Sequence, residues 1–72
     1  MRTYHWDFIS PRAEQIARHH ATHIEEFLAR EKLEGCEVGV TVTGPMRATA
    51  WCRVTDAAAE PVARALRPPR TT

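Results

Sequence analysis

The sequence lacks an excess of charge of either sign: ten basic side chains stand against nine acidic ones, for a formal net charge of +1. This balance provides no overall attraction to nucleic acid or to a membrane surface. Apolar runs of membrane-spanning length are also missing, and residues 1–9 alternate instead of forming the apolar segment of a secretion signal. We therefore expect no membrane association.

Cysteine and catalytic motifs are scarce. The chain contains only Cys36 and Cys52, and without a secretion signal two cysteines are typical of reduced thiols in the cytoplasm. No nucleophile elbow, phosphate-binding loop, dinucleotide fingerprint or zinc-protease motif is present. The sequence thus predicts a cytoplasmic protein that is not an enzyme and has no cofactor.

A chain of 72 residues forms one domain with a marginal core, for which oligomerisation is a natural supplement. Hydrophobic residues make up 43% and charged residues 26% of the sequence, a composition typical of globular proteins. We expect residues 1–67 to form one compact domain. Residues 68–72, which follow the last predicted helix, are expected to be a flexible tail.

The stretch from Ser10 to Leu33 predicts the main helix. Ser10 is suited to cap it, Pro11 to occupy its first position, and Gly35 to stop it. Apolar residues recur at the helical spacing i, i+3, i+4 and predict one buried stripe. The stripe consists of Ala13, Ile16, Ala17, Ile24, Phe27 and Leu28.

Residues 2–9 alternate with period two and predict a strand whose two faces differ. Its aromatic face is expected to pack against the helix, and its other face to be exposed. The first set is Tyr4, Trp6 and Phe8, and the second is His5, Asp7 and Ile9.

Two more alternating stretches, Cys36–Thr43 and residues 47–54, predict a hairpin around the turn signal Gly44–Pro45. A three-residue loop, 44–46, gives favourable cross-strand pairs, including a ring over a glycine and two opposite charges. An alternative register sets Val42 opposite Met46 but loses these pairs. The favoured pairs are Thr43–Arg47, Thr41–Thr49, Gly39–Trp51 and Glu37–Arg53.

A short last helix is predicted from Thr55 or Asp56 to about Leu66, with its regular part beginning only at Pro61. Its expected inward residues are Ala58, Val62, Ala65 and Leu66. The predicted class is α+β in the order β-α-β-β-α, with both helices on one face of a three-stranded mixed sheet. The first strand is left beside either the second or the third. This order resembles a split β-α-β arrangement that stops before its final strand.

Because both helices cover the same side of the predicted sheet, the other side and an unpaired edge are expected to be exposed. Exposed Trp and Arg are frequent anchors of protein interfaces. We therefore interpret the chain as a small protein-binding module, either an inhibitor or adaptor of a larger assembly or a homodimer. Its size and lack of catalytic motifs are similar to those of small inhibitors from phages and mobile elements. The expected contact residues are Trp51, Arg53, Arg47, His5, Glu37 and Thr49.

Two alternatives remain open. A single-stranded nucleic-acid binder would use Trp51 with the neighbouring arginines and the basic residues Arg64, Arg67 and Arg70 near the end of the chain. A small metal protein or enzyme would be built around the histidines, of which His19 and His23 lie one helical turn apart. His20 falls in the middle of the apolar stripe and is expected to be a buried, neutral histidine.

Overall fold

The first strand lies inside the sheet, not at its edge. The computed structural model describes all 72 residues and contains four strands in the order β2-β3-β1-β4, with every neighbouring pair antiparallel. The elements are β1 (Arg2–Ile9), α1 (Ala13–Arg30), β2 (Glu37–Gly44), β3 (Arg47–Val54), α2 (Asp56–Leu66) and β4 (Arg70–Thr71). The protein is therefore a small α+β domain with two helices and a four-stranded antiparallel sheet.

The predicted three-stranded mixed sheet is wrong in two respects. β3 inserts between β1 and β2, so these two strands run in the same direction without being neighbours. In addition, Arg70–Thr71 lies in the expected flexible tail but pairs with β1 as a fourth strand. Backbone hydrogen bonds in both directions between Thr3 and Thr72, at 2.8 and 2.9 Å, extend this pairing. The result is the complete split β-α-β order that the shorter prediction lacked.

The alternation of β1 places its aromatic rings in the core, as predicted. Tyr4 and Trp6 are buried and Phe8 is partly buried against the same cluster. Both buried rings also anchor α2: the Tyr4 hydroxyl donates to the Ala59 carbonyl at 3.0 Å, and the Trp6 indole Nε1 donates to the Leu66 carbonyl at 3.0 Å. The second bond satisfies a carbonyl in the last turn of α2 that has no partner within the helix.

The main helix is shorter than predicted at both ends. It begins at Ala13, because Ser10 forms a turn in which its hydroxyl accepts from the Arg12 amide at 3.1 Å, and no side chain caps α1. It ends at Arg30 because Lys32 adopts the left-handed conformation (φ 56°). The amides of Lys32 and Leu33 then bond back to Ala29 and Leu28, which closes the helix before Gly35 is reached.

The buried stripe of α1 also differs from the prediction at two positions. Ile16 is 41% exposed, whereas Ala21 is buried. The other predicted members, Ala13, Ala17, Ile24, Phe27 and Leu28, are buried. Small residues on one side of α1 allow the helix to approach the sheet closely, and Ile16 lies outside this contact.

The hairpin register is confirmed except at the turn. Thr41 pairs with Thr49, Gly39 with Trp51, and Glu37 with Arg53. At the turn, however, Gly44 and not Thr43 pairs with Arg47, because a register shift between Val42 and Gly44 leaves Thr43 without a partner. The turn thus has two residues instead of the predicted three. The register shift at Thr43 accounts for the difference of one residue.

α2 is continuous from Asp56 through Pro61 to Leu66. The prediction that its regular part begins only at Pro61 is therefore wrong. Thr55 caps it, accepting from the Ala58 amide at 3.3 Å. Ala58 and Val62 are buried as predicted, but Ala65 is exposed and Ala59 is buried instead. Neither helix of the structure has the length and apolar character needed to cross a membrane.

Candidate functional site

The side of the sheet that faces away from both helices is the candidate functional site, and we call it the outer face. It carries all six of the predicted contact residues. Cross-strand pairing places His5 opposite Trp51, Asp7 opposite Thr49, and Ile9 opposite Arg47. The outer face consists of His5, Asp7, Ile9, Glu37, Gly39, Thr41, Arg47, Thr49, Trp51, Arg53 and Arg70.

Trp51 is at the centre of the outer face, with Gly39 of β2 on one side and His5 of β1 on the other. Its ring covers the bare backbone of Gly39: a Cβ built at residue 39 would lie 2.6 Å from Trp51 Cε2 and closer still to Cζ2. This contact leaves the indole half-buried, with no helix above it. Trp51 is therefore an apolar platform among mostly polar side chains.

Glu37 and Arg53 form an ion pair beside this platform. Arg53 Nη1 donates to Glu37 Oε1 at 3.1 Å, and both side chains are largely exposed. An exposed pair of this kind contributes at most about 1 kcal/mol to stability. The pair places one positive and one negative charge next to Trp51.

Asp7 joins three strands through its carboxylate. It accepts from the Thr49 hydroxyl at 2.6 Å and from two guanidinium nitrogens of Arg70 at 2.8 and 3.0 Å. The hydrogen bonds from Arg70 and Thr49 lower the pKa of Asp7 to about 2. Thr49 is only 7% exposed, so the expectation that its side chain is exposed is wrong.

Asp7 and Arg70 of this cluster are absent from the six expected protein-contact residues, and the sequence names Arg70 only in the nucleic-acid alternative. Arg70 is separated from Asp7 by 63 positions, and the sequence pattern places it in a flexible tail. The detectable signal would have been a polar pair, Arg70–Thr71, following the rigid Pro68–Pro69 segment, which favours an extended chain. That signal alone does not identify the strand that accepts it.

His5 lies between Trp51 and β4. Its Nε2 is 2.8 Å from the Thr72 hydroxyl. Burial lowers the pKa of His5, and the positive charge of Arg70 lowers it further, against the opposing effect of Asp7. The ring is thus held neutral near pH 7 and adds no positive charge to the outer face.

The charge on the outer face is largely neutralised within the face itself. It carries three arginines and two carboxylates, and Arg53 and Arg70 are each paired with a carboxylate. Only Arg47 has no ion pair among them. Beside Arg47, Ile9 is 70% exposed, so this end of the sheet combines one free cation with an exposed aliphatic side chain.

One edge of the sheet is also open. β2 is the outermost strand on one side, and β4 covers only part of β1 on the other. On its free side β2, which is eight residues long, therefore presents backbone donors and acceptors without a strand partner. Val42, on this strand, is 50% exposed.

The remaining candidate residues lie away from the outer face. His20 packs against the rings of Trp6 and Phe8, with centroid distances of 5.0 and 5.7 Å, and its buried Nε2 has no hydrogen-bond partner. Both cysteines are free thiols, and burial raises the pKa of Cys52 to about 12. No group of three or more potential metal ligands is present in the chain.

Comparisons of the chain with protein-family models, with curated proteins and with solved structures give no match.

Proposed function

We propose that the protein is a small protein-binding module that contacts its partner through the outer face and the free edge of β2. It acts as an inhibitor or adaptor of a larger assembly, or it forms a homodimer. The observation that carries this proposal is the position of Trp51: a half-buried indole at the centre of a sheet face that no helix covers. Tryptophan at the centre of a contact surface is the side chain that most often dominates binding energy.

The polar side chains around Trp51 are suited to the rim of an interface. Glu37 with Arg53, and Asp7 with Arg70, are already hydrogen-bonded in the free protein. A surface whose side chains are fixed before binding loses less conformational entropy when a partner docks. The free β2 edge adds a second means of contact, because a partner strand can pair with it directly.

A single-stranded nucleic-acid binder is the alternative, and the charge arrangement favours it less. Binding of a phosphate backbone needs unpaired cations next to the stacking ring. On the outer face, Arg53 and Arg70 are paired with carboxylates, which leaves Arg47 as the one unpaired arginine. Trp51 also lacks the second and third stacking rings that such sheets usually present.

The proposal includes no catalytic step. Cys52, the buried thiol, has its pKa raised to about 12, and a nucleophilic cysteine requires the opposite shift. Two unbridged thiols are suited to a reducing compartment such as the cytoplasm.

The experiment compares three forms of the protein as bait in affinity capture from the native host. These are the wild type, Trp51→Ala, and Glu25→Ala, a control on the exposed side of α1. Captured proteins are purified, and their affinities are measured by titration; self-association is measured by sedimentation. We expect one stoichiometric partner, or a second copy, whose affinity falls at least tenfold for Trp51→Ala and is unchanged for Glu25→Ala.

Circular dichroism first establishes that Trp51→Ala remains folded. A partner that binds the wild type and Trp51→Ala equally would contradict the proposal, as would a strictly monomeric protein without any partner. Salt-sensitive binding of oligonucleotides that quenches Trp51 fluorescence would instead establish the nucleic-acid alternative.

A further inference from the structure

His19 and His23 form a second potential site, on α1 and away from the outer face. The two residues are one helical turn apart, and both side chains are exposed. Their rings meet edge to face, with centroids 4.5 Å apart and an interplanar angle of 80°. This orientation brings the two Nε2 atoms to 2.9 Å from each other.

Two Nε2 atoms at this distance are joined either by a hydrogen bond from the Nε2–H tautomer of one ring or by a cation that both nitrogens bind. When both rings carry their hydrogen on Nδ1, both Nε2 lone pairs are free to bind one metal ion. Two nitrogens bound at about 2.0–2.1 Å to one metal ion, at a right angle, are about 2.9 Å apart. The observed separation therefore matches two adjacent positions of a square-planar or octahedral ion.

Glu26 supports this orientation on the other side of the His23 ring. Its Oε1 is 3.3 Å from His23 Nδ1. A carboxylate near this nitrogen favours the tautomer with hydrogen on Nδ1, which leaves the Nε2 lone pair free for a metal ion. Three residues on successive turns of α1 thus supply two ligands and one orienting group.

We propose that His19 and His23 form a two-ligand site for a divalent transition-metal ion, with Ni²⁺ and Cu²⁺ preferred over Zn²⁺. Both ions favour nitrogen ligands at right angles, whereas structural Zn²⁺ takes four tetrahedral protein ligands. No third side chain completes the site, so water fills the remaining positions. Mg²⁺ and Ca²⁺ are excluded because they require oxygen ligands.

Titration calorimetry of the untagged full chain with Ni²⁺ at pH 7.5 tests the site. We expect one equivalent of Ni²⁺ to bind the wild type, and no binding for His19→Asn or His23→Asn. Glu26→Ala should weaken the affinity about tenfold, the usual effect of removing an orienting carboxylate. His5→Asn is the matched control and should bind like the wild type, and Mg²⁺ should not bind.

Cu²⁺ electron paramagnetic resonance gives an independent readout. The wild-type spectrum should show coupling to two ring nitrogens, whereas the spectrum of His23→Asn should not. Binding of Ni²⁺ that survives His23→Asn, or that His5→Asn abolishes, would overturn the proposal. A wild-type protein that binds no Ni²⁺ would also overturn it, without any bearing on the function proposed for the outer face.

Discussion

The six-membered ring of Trp51 occupies the space that a side chain at Gly39 would need, because a Cβ there would lie 2.6 Å from Trp51 Cε2. The two residues are direct cross-strand partners on β3 and β2. Glycine in a strand is normally unfavourable, since it packs no side chain and loses more backbone entropy on folding. Here its bare backbone fixes the position of the ring at the centre of the outer face.

Gly39→Ala should therefore destabilise the protein by about 1 kcal/mol. This is at the low end of the destabilisation expected for overpacking, because one side of the Trp51 ring is in contact with solvent and not with core side chains. In a Trp51→Ala background the same substitution should be neutral or slightly stabilising. Urea unfolding of the four forms gives a coupling energy, for which we expect at least about 1 kcal/mol. Gly44→Ala is the control: its Cβ would be 4.0 Å from Arg47 Cβ, in ordinary contact.

The Gly39–Trp51 pair also shows what the sequence predicts well. Alternation with period two assigns each residue of a strand to one face, so the bounds of β3, its buried side and the pairing of Gly39 with Trp51 follow from local pattern. The six predicted contact residues share one face for the same reason. Local pattern does not predict burial that depends on a tertiary contact. Thr49 is an example, since its side chain is buried where it donates a hydrogen bond to Asp7.

Local sequence pattern does not predict β4. Two polar residues after a proline pair have no apolar alternation, so nothing local distinguishes them from a tail. Their strand is defined by partners more than sixty positions away, through the bonds of Arg70 to Asp7 and of Thr72 to Thr3. The same lack of local signal applies to Lys32, which ends α1 although Gly35 is the better sequence candidate.

Asp7 predicts how the protein responds to acid. Its pKa is about 2 in the folded state, below the ordinary 3.8. Its contribution to stability is therefore present above about pH 4 and is lost as the pH falls from 4 towards 2. Because Asp7 is partly exposed, we expect Asp7→Asn to cost only about 1 kcal/mol at pH 7.

Urea unfolding of the wild type and Asp7→Asn between pH 7 and pH 2 measures this effect. The two curves should converge at the acid end. Arg70→Gln should give the same flattening, and the two substitutions together should cost little more than either alone. Curves that stay parallel down to pH 2 would contradict the role assigned to the Asp7 carboxylate.

His20 predicts a separate pH dependence, between pH 8 and pH 5. Burial lowers the pKa of His20, and His23 and His19 on the same helix lower it further; the strand packed against it contributes only the Trp6 and Phe8 rings. Below about pH 6.5 the unfolded chain binds a proton that the folded chain does not, so stability falls with the pH. Above that pH both states are neutral and the effect is absent.

His20→Leu should flatten this slope without a loss of stability at pH 8, because the buried Nε2 has no hydrogen-bond partner to lose. Urea unfolding in the presence of a metal chelator measures both quantities. His5→Asn is the control, since the pKa of His5 is lowered as well; most of the slope should remain in that variant. A wild-type slope retained in His20→Leu would place the titration elsewhere.

The left-handed backbone conformation of Lys32 indicates that a substitution there will stabilise the protein. It has φ 56° at the end of α1, in the left-handed region where a Cβ is unfavourable and glycine is not. Its amide and that of Leu33 bond to Ala29 and Leu28, so the conformation is required by the helix end and must be kept. Lys32→Gly should therefore raise the free energy of unfolding by about 1 kcal/mol, as judged by the urea midpoint at unchanged slope. Lys32→Ala, which removes the charge and keeps the Cβ, should give no gain; an equal gain in both variants would mean that charge and not backbone conformation is responsible.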